Sequence, residues 1–469
     1  MIILFITILG FILRLILANQ SFWLDEGASV EIASRSLSNL MSGMVSDFHP
    51  PLYYLLLKAW LPLAGHTEWL IRLPNILIGV VTIPVVYLLT KEITGKTKGF
   101  FLFLPALLLA INPFHIYYSQ ELRMYGLNTL LTALSWLFLL RLRKESGNKS
   151  GLLFTLVTVL NLYTFYGAFF NLFGQLLFTF GDKNNSKKIY LWIATSILFF
   201  LPWTPVLISQ LRNGGYLTSA LPGWSALSGT LTLKDLFLIP TKFLLGRINL
   251  TPKILYVFVT GMSFVLLLIS LFFAFKNKKT ASLWFYLLIP LILAVAISLK
   301  TPVLGYWRYT SLLPALLMLL SFGLEALPKI WGKAVSAYFL ILFIICNLIF
   351  WSHPSFQRED WRGLANFINT DKSLIVLNYP AVFAPLKFYL PQADYYFSET
   401  SLGRERTDLS QSFSVPANGK NTVYLLDYLS DLTDPQRKTL AFLKSTSFKL
   451  TSEKVFNGLG KVSVFQRVK

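Results

Sequence analysis

The chain has 469 residues, 54% of them hydrophobic and 16% aromatic, with 14% charged and a formal net charge of +20; its mean hydropathy is +0.58. That balance is too apolar for an ordinary soluble domain. The cations recur in short runs between apolar segments and form no stripe interleaved with exposed aromatics, which favours a membrane over nucleic acid as partner.

Apolar spans fall at about 1 to 19, 69 to 90, 99 to 113, 124 to 140, 151 to 165, 167 to 180, 189 to 208, 254 to 275, 281 to 299, 309 to 327 and 334 to 351. Most are near the length that crosses hydrocarbon, so about eleven crossings are expected. Lys91, Lys96 and Lys98, then Arg141, Arg143, Lys144 and Lys149, then Lys183, Lys187 and Lys188, then Lys276, Lys278 and Lys279, then Lys329 and Lys333 fall on every second loop. By the positive-inside rule these loops are cytoplasmic, with the N-terminus inside and the chain after residue 351 outside a bacterial-type inner membrane. The first span lacks a basic leader and a small-residue cleavage site and reads as retained.

Outside, residues 20 to 68 predict a surface helix from about Glu26 to Met41 and an amphipathic stretch from Pro50 to Leu63. Residues 209 to 253, with Gly214-Gly215, Pro222-Gly223 and Pro240, read as a loop with short helices able to cover a cavity. Beyond Trp351 the composition turns soluble. Ser373 to Asn378 and Thr422 to Leu426 read as strands, and helical patterns lie near Asp360 to Asn369 and Asp434 to Lys444. The expected fold is an α-helical polytopic membrane protein: a transmembrane domain over 1–351, whose first outer loop is 20–68, and a small extracytoplasmic α/β domain over 352–469.

Several enzyme signatures are absent. Gly95-Lys96-Thr97 resembles the end of a P-loop, but Thr90 stands where the first glycine belongs and no strand precedes it. There is no Gly-x-Ser-x-Gly, His-Glu-x-x-His or dinucleotide fingerprint, and the four histidines are scattered. Cys346, the single cysteine, lies in an apolar run and excludes an internal disulfide framework. Sequons at Asn148 and Asn184 fall on cytoplasmic loops, and the third is at Asn249.

The polar outliers share one side of the membrane. Trp23-Leu24-Asp25-Glu26 and Asp47-Phe48-His49-Pro50-Pro51-Leu52-Tyr53-Tyr54 occupy the first outer loop. Arg14, Arg72, Tyr117, Tyr118, Gln120, Glu121, Arg123, Tyr125, Lys300, Tyr306, Trp307, Arg308 and Tyr309 map to the same leaflet. Interfacial anchoring explains some tyrosines and tryptophans, and helix capping is the bland reading of Asp25 and Glu26. Turn formation is the bland reading of Asp47 and His49. Acids and guanidinium groups kept at one depth suit a different task. Cations grip a lipid-borne phosphate and a carboxylate deprotonates an acceptor hydroxyl. A transporter or lipid flippase is the alternative, though such proteins concentrate their ionisable residues at the midplane.

Taken in order, Trp23-Leu24-Asp25-Glu26, Asp47-x-His49-Pro50-Pro51-Leu52-Tyr53-Tyr54, Arg72-Leu73-Pro74, Asn112-Pro113-Phe114, Tyr118-Ser119-Gln120-Glu121-x-Arg123-x-Tyr125 and Arg308-Tyr309-x-x-x-Leu313-Pro314-Ala315 resemble the GT-C membrane glycosyltransferases. The likeness covers about residues 1 to 325 and is greatest to the bacterial protein-mannosyltransferase-like and lipid A aminoarabinose and galacturonosyl transferases. It implies inverting transfer of a hexose or pentose from a polyprenyl-phosphate donor to a lipid A-like lipid, another envelope glycan or a protein. Asp25 matches the catalytic acid and Glu26 its neighbour, which either orients an acceptor or metal or pairs with a base such as Arg14. Arg123 and Arg308, with Tyr125, match positions facing the donor phosphate. Asp47, His49, Tyr53, Arg72 and Glu121 are expected around the acceptor or pocket. No metal ligand set is predicted, and a divalent metal beside Asp25 or Glu26 is left open.

Overall fold

Helices form over every expected apolar span, but several are too short to cross hydrocarbon alone. The structure, a computed structural model, describes residues 1–145, 147–180, 186–220, 229–401, 404–405 and 408–468. Among these, seven helices are long and apolar enough to cross a membrane, or eight if Phe100–Ile111 and Pro113–Ser119, bent by 56° at their junction, count as one span. The chain is a multi-pass membrane protein. The expected eleven is not reached on length: Ile2–Leu15 has 14 residues, Asn148–Leu162 has 15 and Ala168–Thr179 has 12. At 1.5 Å per residue such helices reach only about 18 to 23 Å.

The described residues divide into two units, the first comprising 1–18, 36–211 and 229–352, the second 19–35, 212–220 and 353–468. In the first, polar groups are spent on helix ends. Arg14 is fully buried, yet its guanidinium donates to the carbonyls of Gly10 (2.7 Å), Ala110 (3.0 Å) and Leu109 (3.3 Å), to Ser119 Oγ (3.2 Å), and meets His115 Nδ1 at 2.6 Å. Leu109 and Ala110 are among the last carbonyls of Phe100–Ile111, which have no partner within their own helix, so a cation there caps the break. Asn112 opens the next helix: its Oδ1 accepts from His115 N (2.9 Å), with Pro113 in the first turn. Arg72, expected near the acceptor, is also fully buried and donates to the Ala18 carbonyl at 2.8 Å.

The expected surface helix from Glu26 to Met41 is two helices, Leu24–Ser34 and Leu37–Gly43. Ser36 starts the second by accepting from Asn39 N at 3.2 Å, and the chain passes from the second unit to the first at this break. The amphipathic stretch is the helix Leu52–Ala64. Gly214-Gly215 lie on the helix Thr204–Ala220, while Pro222-Gly223 fall outside the described residues.

In the second unit, strands β1 (Ser373–Leu377), β2 (Tyr395–Phe397), β5 (Thr422–Leu426), β6 (Phe448–Phe456) and β7 (Gly460–Arg467) form a sheet in the order β2-β1-β5-β7-β6; β3 (Glu399–Ser401) and β4 (Arg404–Glu405) make a separate ribbon. β1 is parallel to β2 and β5, and β7 is antiparallel to β5 and β6. Alternate residues of β1 feed two cores. Ile375 and Leu377 join Trp361, Leu386 and Tyr428 on one face, and Leu374 and Val376 join Phe413, Leu443 and Phe465 on the other. A sheet covered on both faces is the expected α/β domain, but it includes a segment that sequence reading assigned to the membrane part. Residues 19–35 pack here because Phe22, fully buried, lies 5.0 Å from the Phe388 ring and 6.2 Å from that of Tyr389, and because Leu24 packs on the Trp361 core. Truncating a buried Phe of this kind to Ala costs about 3 to 5 kcal/mol.

Candidate active site

The first unit gathers three residues that sequence reading placed on opposite sides of the reaction. Arg123 Nη2 meets His49 Nε2 at 2.9 Å, and Arg308 is near enough for its charge to act on the same imidazole. Burial, then Arg123, then Arg308 hold His49 well below the ordinary imidazole value. His49 is therefore neutral near pH 7, and the hydrogen-bond pattern assigns its Nε2 as acceptor of the Arg123 N–H. His49, expected around the acceptor or pocket, thus touches Arg123, which faces the donor phosphate in the resemblance. Because its charged form is disfavoured, kcat/KM for donor between pH 5.5 and 8 should show no limb near 6.5. A limb there that disappears in His49→Gln would show that the imidazole titrates.

His49 and Arg308 line one cavity of about 400 Å³ whose remaining wall is largely apolar, including Phe165, Leu207, Ile297 and Leu312. Pro302 O accepts from Arg308 Nη1 at 3.2 Å, holding this guanidinium at the wall. A mostly hydrophobic chamber with the Arg308 cation on its lining, and Arg123 behind His49, suits a ligand with an apolar tail and an anionic head.

Behind Arg123 stands Asn75, which sequence reading missed. Its Nδ2 donates to the carbonyls of Glu121 and Arg123, the latter at 3.0 Å, and its Oδ1 accepts from Tyr53 Oη at 3.1 Å. Tyr53, expected in the pocket, thus acts through the 121–123 turn. Asp47 lies close enough to Tyr166 to add to the effect of burial, which pushes that phenol up to about 12. Tyr166 donates to Gln210, and Gln210 Nε2 donates back to the carbonyls of Met44 (2.5 Å) and His49 (3.3 Å), so the 44–49 segment is held in place. Tyr125 forms an aromatic wall, 5.9 Å from Tyr118 and 6.0 Å from Phe165, which is 6.2 Å from His49.

Arg247 is another cation that sequence reading missed. Its guanidinium sits 4.7 Å from the Tyr117 ring, and its charge is felt by Tyr118, Tyr306 and Glu121. Gly246 just before it has φ +67, and a Cβ there would meet Pro113 at 2.9 Å, so only glycine turns the chain here. A lone arginine in a loop carries no local signal; its aromatic partners are over a hundred positions upstream or some sixty downstream.

Asp25 and Glu26 lie in the second unit, at the start of Leu24–Ser34. They point apart, as neighbours about 100° round a helix must. Glu26 is fully buried, accepts from Trp23 N (3.4 Å) and pairs with Arg358 at 3.5 Å; its base is Arg358, whereas Arg14 is taken up by carbonyls. Asp25 is half-buried. Among the described residues no three of His, Cys, Asp and Glu gather as a metal site, and the engagement of Glu26 by Arg358 does not suit it as a metal ligand. No step below runs through a metal.

Residues 48–208 match the family described as dolichyl-phosphate-mannose-protein mannosyltransferase. No curated protein sequence matches. Among solved structures, ArnT from Cupriavidus metallidurans in the apo state is similar with a TM-score of 0.57 at 13% identity, over 97% of this chain and 96% of that one. The oligosaccharyltransferase AglB from Archaeoglobus fulgidus, in complex with an inhibitory peptide and a dolichol-phosphate, is similar with a TM-score of 0.54 at 11% identity, over 100% of this chain and 74% of that one.

Proposed function

From the premise that this chain has the GT-C fold of membrane glycosyltransferases, we propose that it transfers a monosaccharide from a polyprenyl-phosphate donor to an acceptor hydroxyl at the outer face of the cell membrane. The observation that carries the reading is the convergence of Arg123 and Arg308 on neutral His49 beside a largely apolar 400 Å³ cavity. Two fixed cations beside an apolar chamber recognise a phosphate on a hydrocarbon chain. Residue 48, where the family match begins, is one position before His49.

In the proposed reaction the acceptor oxygen bonds to the anomeric carbon as the bond from that carbon to the phosphate oxygen breaks. The electron pair leaves with the polyprenyl phosphate, whose charge Arg123 and Arg308 stabilise, with Arg247 as a further cation. Attack opposite the leaving group inverts the anomeric centre. The acceptor proton goes to Asp25, while Glu26, held by Arg358, keeps the helix start in shape. Phosphate leaves without a proton, so no second carboxyl is needed, in contrast to glycoside hydrolysis. The orientation proposed has the N-terminus in the cytoplasm and the C-terminal domain outside.

Proteoliposomes of the full chain, supplied with envelope extract as acceptor and with radiolabelled polyprenyl-phosphate mannose, aminoarabinose or galacturonic acid in turn, test this. One donor is expected to pass its label covalently to acceptor. Movement of donor across the bilayer without transfer would point to a flippase and overturn the enzyme reading.

A further inference from the structure

The second unit holds a half-buried carboxylate that the proposed reaction does not use. Glu359 Oε2 accepts from Leu24 N at 2.9 Å and from Trp361 Nε1 at 2.7 Å, and its Oε1 accepts from Tyr428 Oη at 2.8 Å. Leu24 is the residue before Asp25, and its N–H opens the helix, where backbone donors lack partners of their own. Around this bond the short run 358–362 stitches almost the whole approach to Asp25. Arg358 N donates to Gln20 Oε1 (3.1 Å) and its side chain pairs with Glu26 (3.5 Å). Arg362 N donates to Ser21 Oγ (3.0 Å) and its Nη2 to the Asn19 carbonyl (3.0 Å). From the other side Tyr389 Oη takes the N–H of Phe22 at 3.0 Å, and Pro385 lies so close to Gly27 that a Cβ there would meet it at 2.7 Å.

We propose that the C-terminal domain fixes the catalytic base: Glu359, with Arg358 and Arg362, positions the turn that carries Asp25. This rests on the reading of Asp25 as base. The geometry points to positioning because Asn19, Gln20, Ser21, Leu24 and Glu26 are each met by a side chain or amide of 358–362, at a sequence separation of more than 300 residues. Burial pushes the Glu359 carboxyl upward against the pull of Trp361, Tyr428 and Leu24, and the nearby Asp25 adds to the rise.

The test uses the full-length protein in proteoliposomes with the donor that the wild type transfers. Glu359→Ala should lower kcat by about tenfold or more, since small displacements of a reacting group are that costly, while donor KM changes less than twofold. Hydrogen exchange over residues 20–27 should accelerate by about tenfold with strands β1 and β5 unchanged. Glu359→Gln should restore kcat to within about threefold, because its carbonyl oxygen can accept from Leu24 and Trp361 while its amide donates to Tyr428 Oη. Should alanine unfold the domain, which faster exchange in β1 and β5 would report, Arg362→Ala carries the test from a half-exposed position, with about a threefold loss in kcat and faster exchange over 19–23 expected. Wild-type kcat in the folded alanine variants, or glutamine no better than alanine, overturns the proposal. Absence of transfer by the wild type itself would instead strike the functional reading on which it rests.

Discussion

Asp25→Asn in the reconstituted full-length protein should reduce kcat by about 10²-fold or more while leaving membrane insertion and donor binding unaltered. The amide matches the carboxylate in shape but cannot take the acceptor proton. Asp25 is half-buried at the start of its helix, where a negative charge is favourable, so loss of the charge alone removes only about 0.3 to 1 kcal/mol of stability. Glu26→Gln supplies the contrast. It leaves Arg358 buried against a neutral partner, and breaking a buried pair costs about 3 to 5 kcal/mol. Its expected signature is a less stable protein whose folded fraction still turns over. Near-normal transfer by Asp25→Asn would remove this residue as base, and a Glu26→Gln variant that is stable but inactive would move the role to Glu26.

Arg123→Ala is the second large effect, with kcat/KM for donor expected to fall by about 10²- to 10³-fold. Most of that loss reflects a leaving phosphate whose developing charge has lost its fixed partner. His49 would lose its hydrogen bond to Arg123, leaving Arg308 as the cation beside it, and Arg123→Lys should recover only part of the rate, a point charge lacking the planar fork. Direct donor binding to vesicles, measured without acceptor, should weaken in parallel. Unchanged donor KM and kcat would withdraw Arg123 from the phosphate.

The membrane fold was legible because hydrophobic length and cation placement are local properties, and Asp25, Arg123 and Arg308 could be singled out because each sits in a short run with its own signature. What was not legible depends on residues far apart in the chain. Asn75 supports the Arg123 turn from the middle of an apolar helix, where it reads as a tolerated polar residue. Glu359 looks like one acid in an ordinary Arg-Glu-Asp run until folding brings Leu24, Trp361 and Tyr428 onto it. Arg14 misled for the opposite reason. An arginine near two acids in sequence suggests an ion pair, yet carbonyls at a helix break satisfy a guanidinium equally well. The contact of His49 with Arg123 was not legible either, since Asp47-x-His49-Pro50 says nothing about a residue 74 positions downstream.

The capping of the broken span by Arg14 also bears on biogenesis. During synthesis the helix Ile2–Leu15 emerges about a hundred residues before Leu109 and Ala110, whose carbonyls accept from its guanidinium. Until then an arginine near the end of a 14-residue apolar segment carries an insertion penalty of up to about 3 kcal/mol if it sits deep in the lipid. Stable integration of the helix Ile2–Leu15 is therefore expected to wait until the Phe100–Ile111 segment lies beside it.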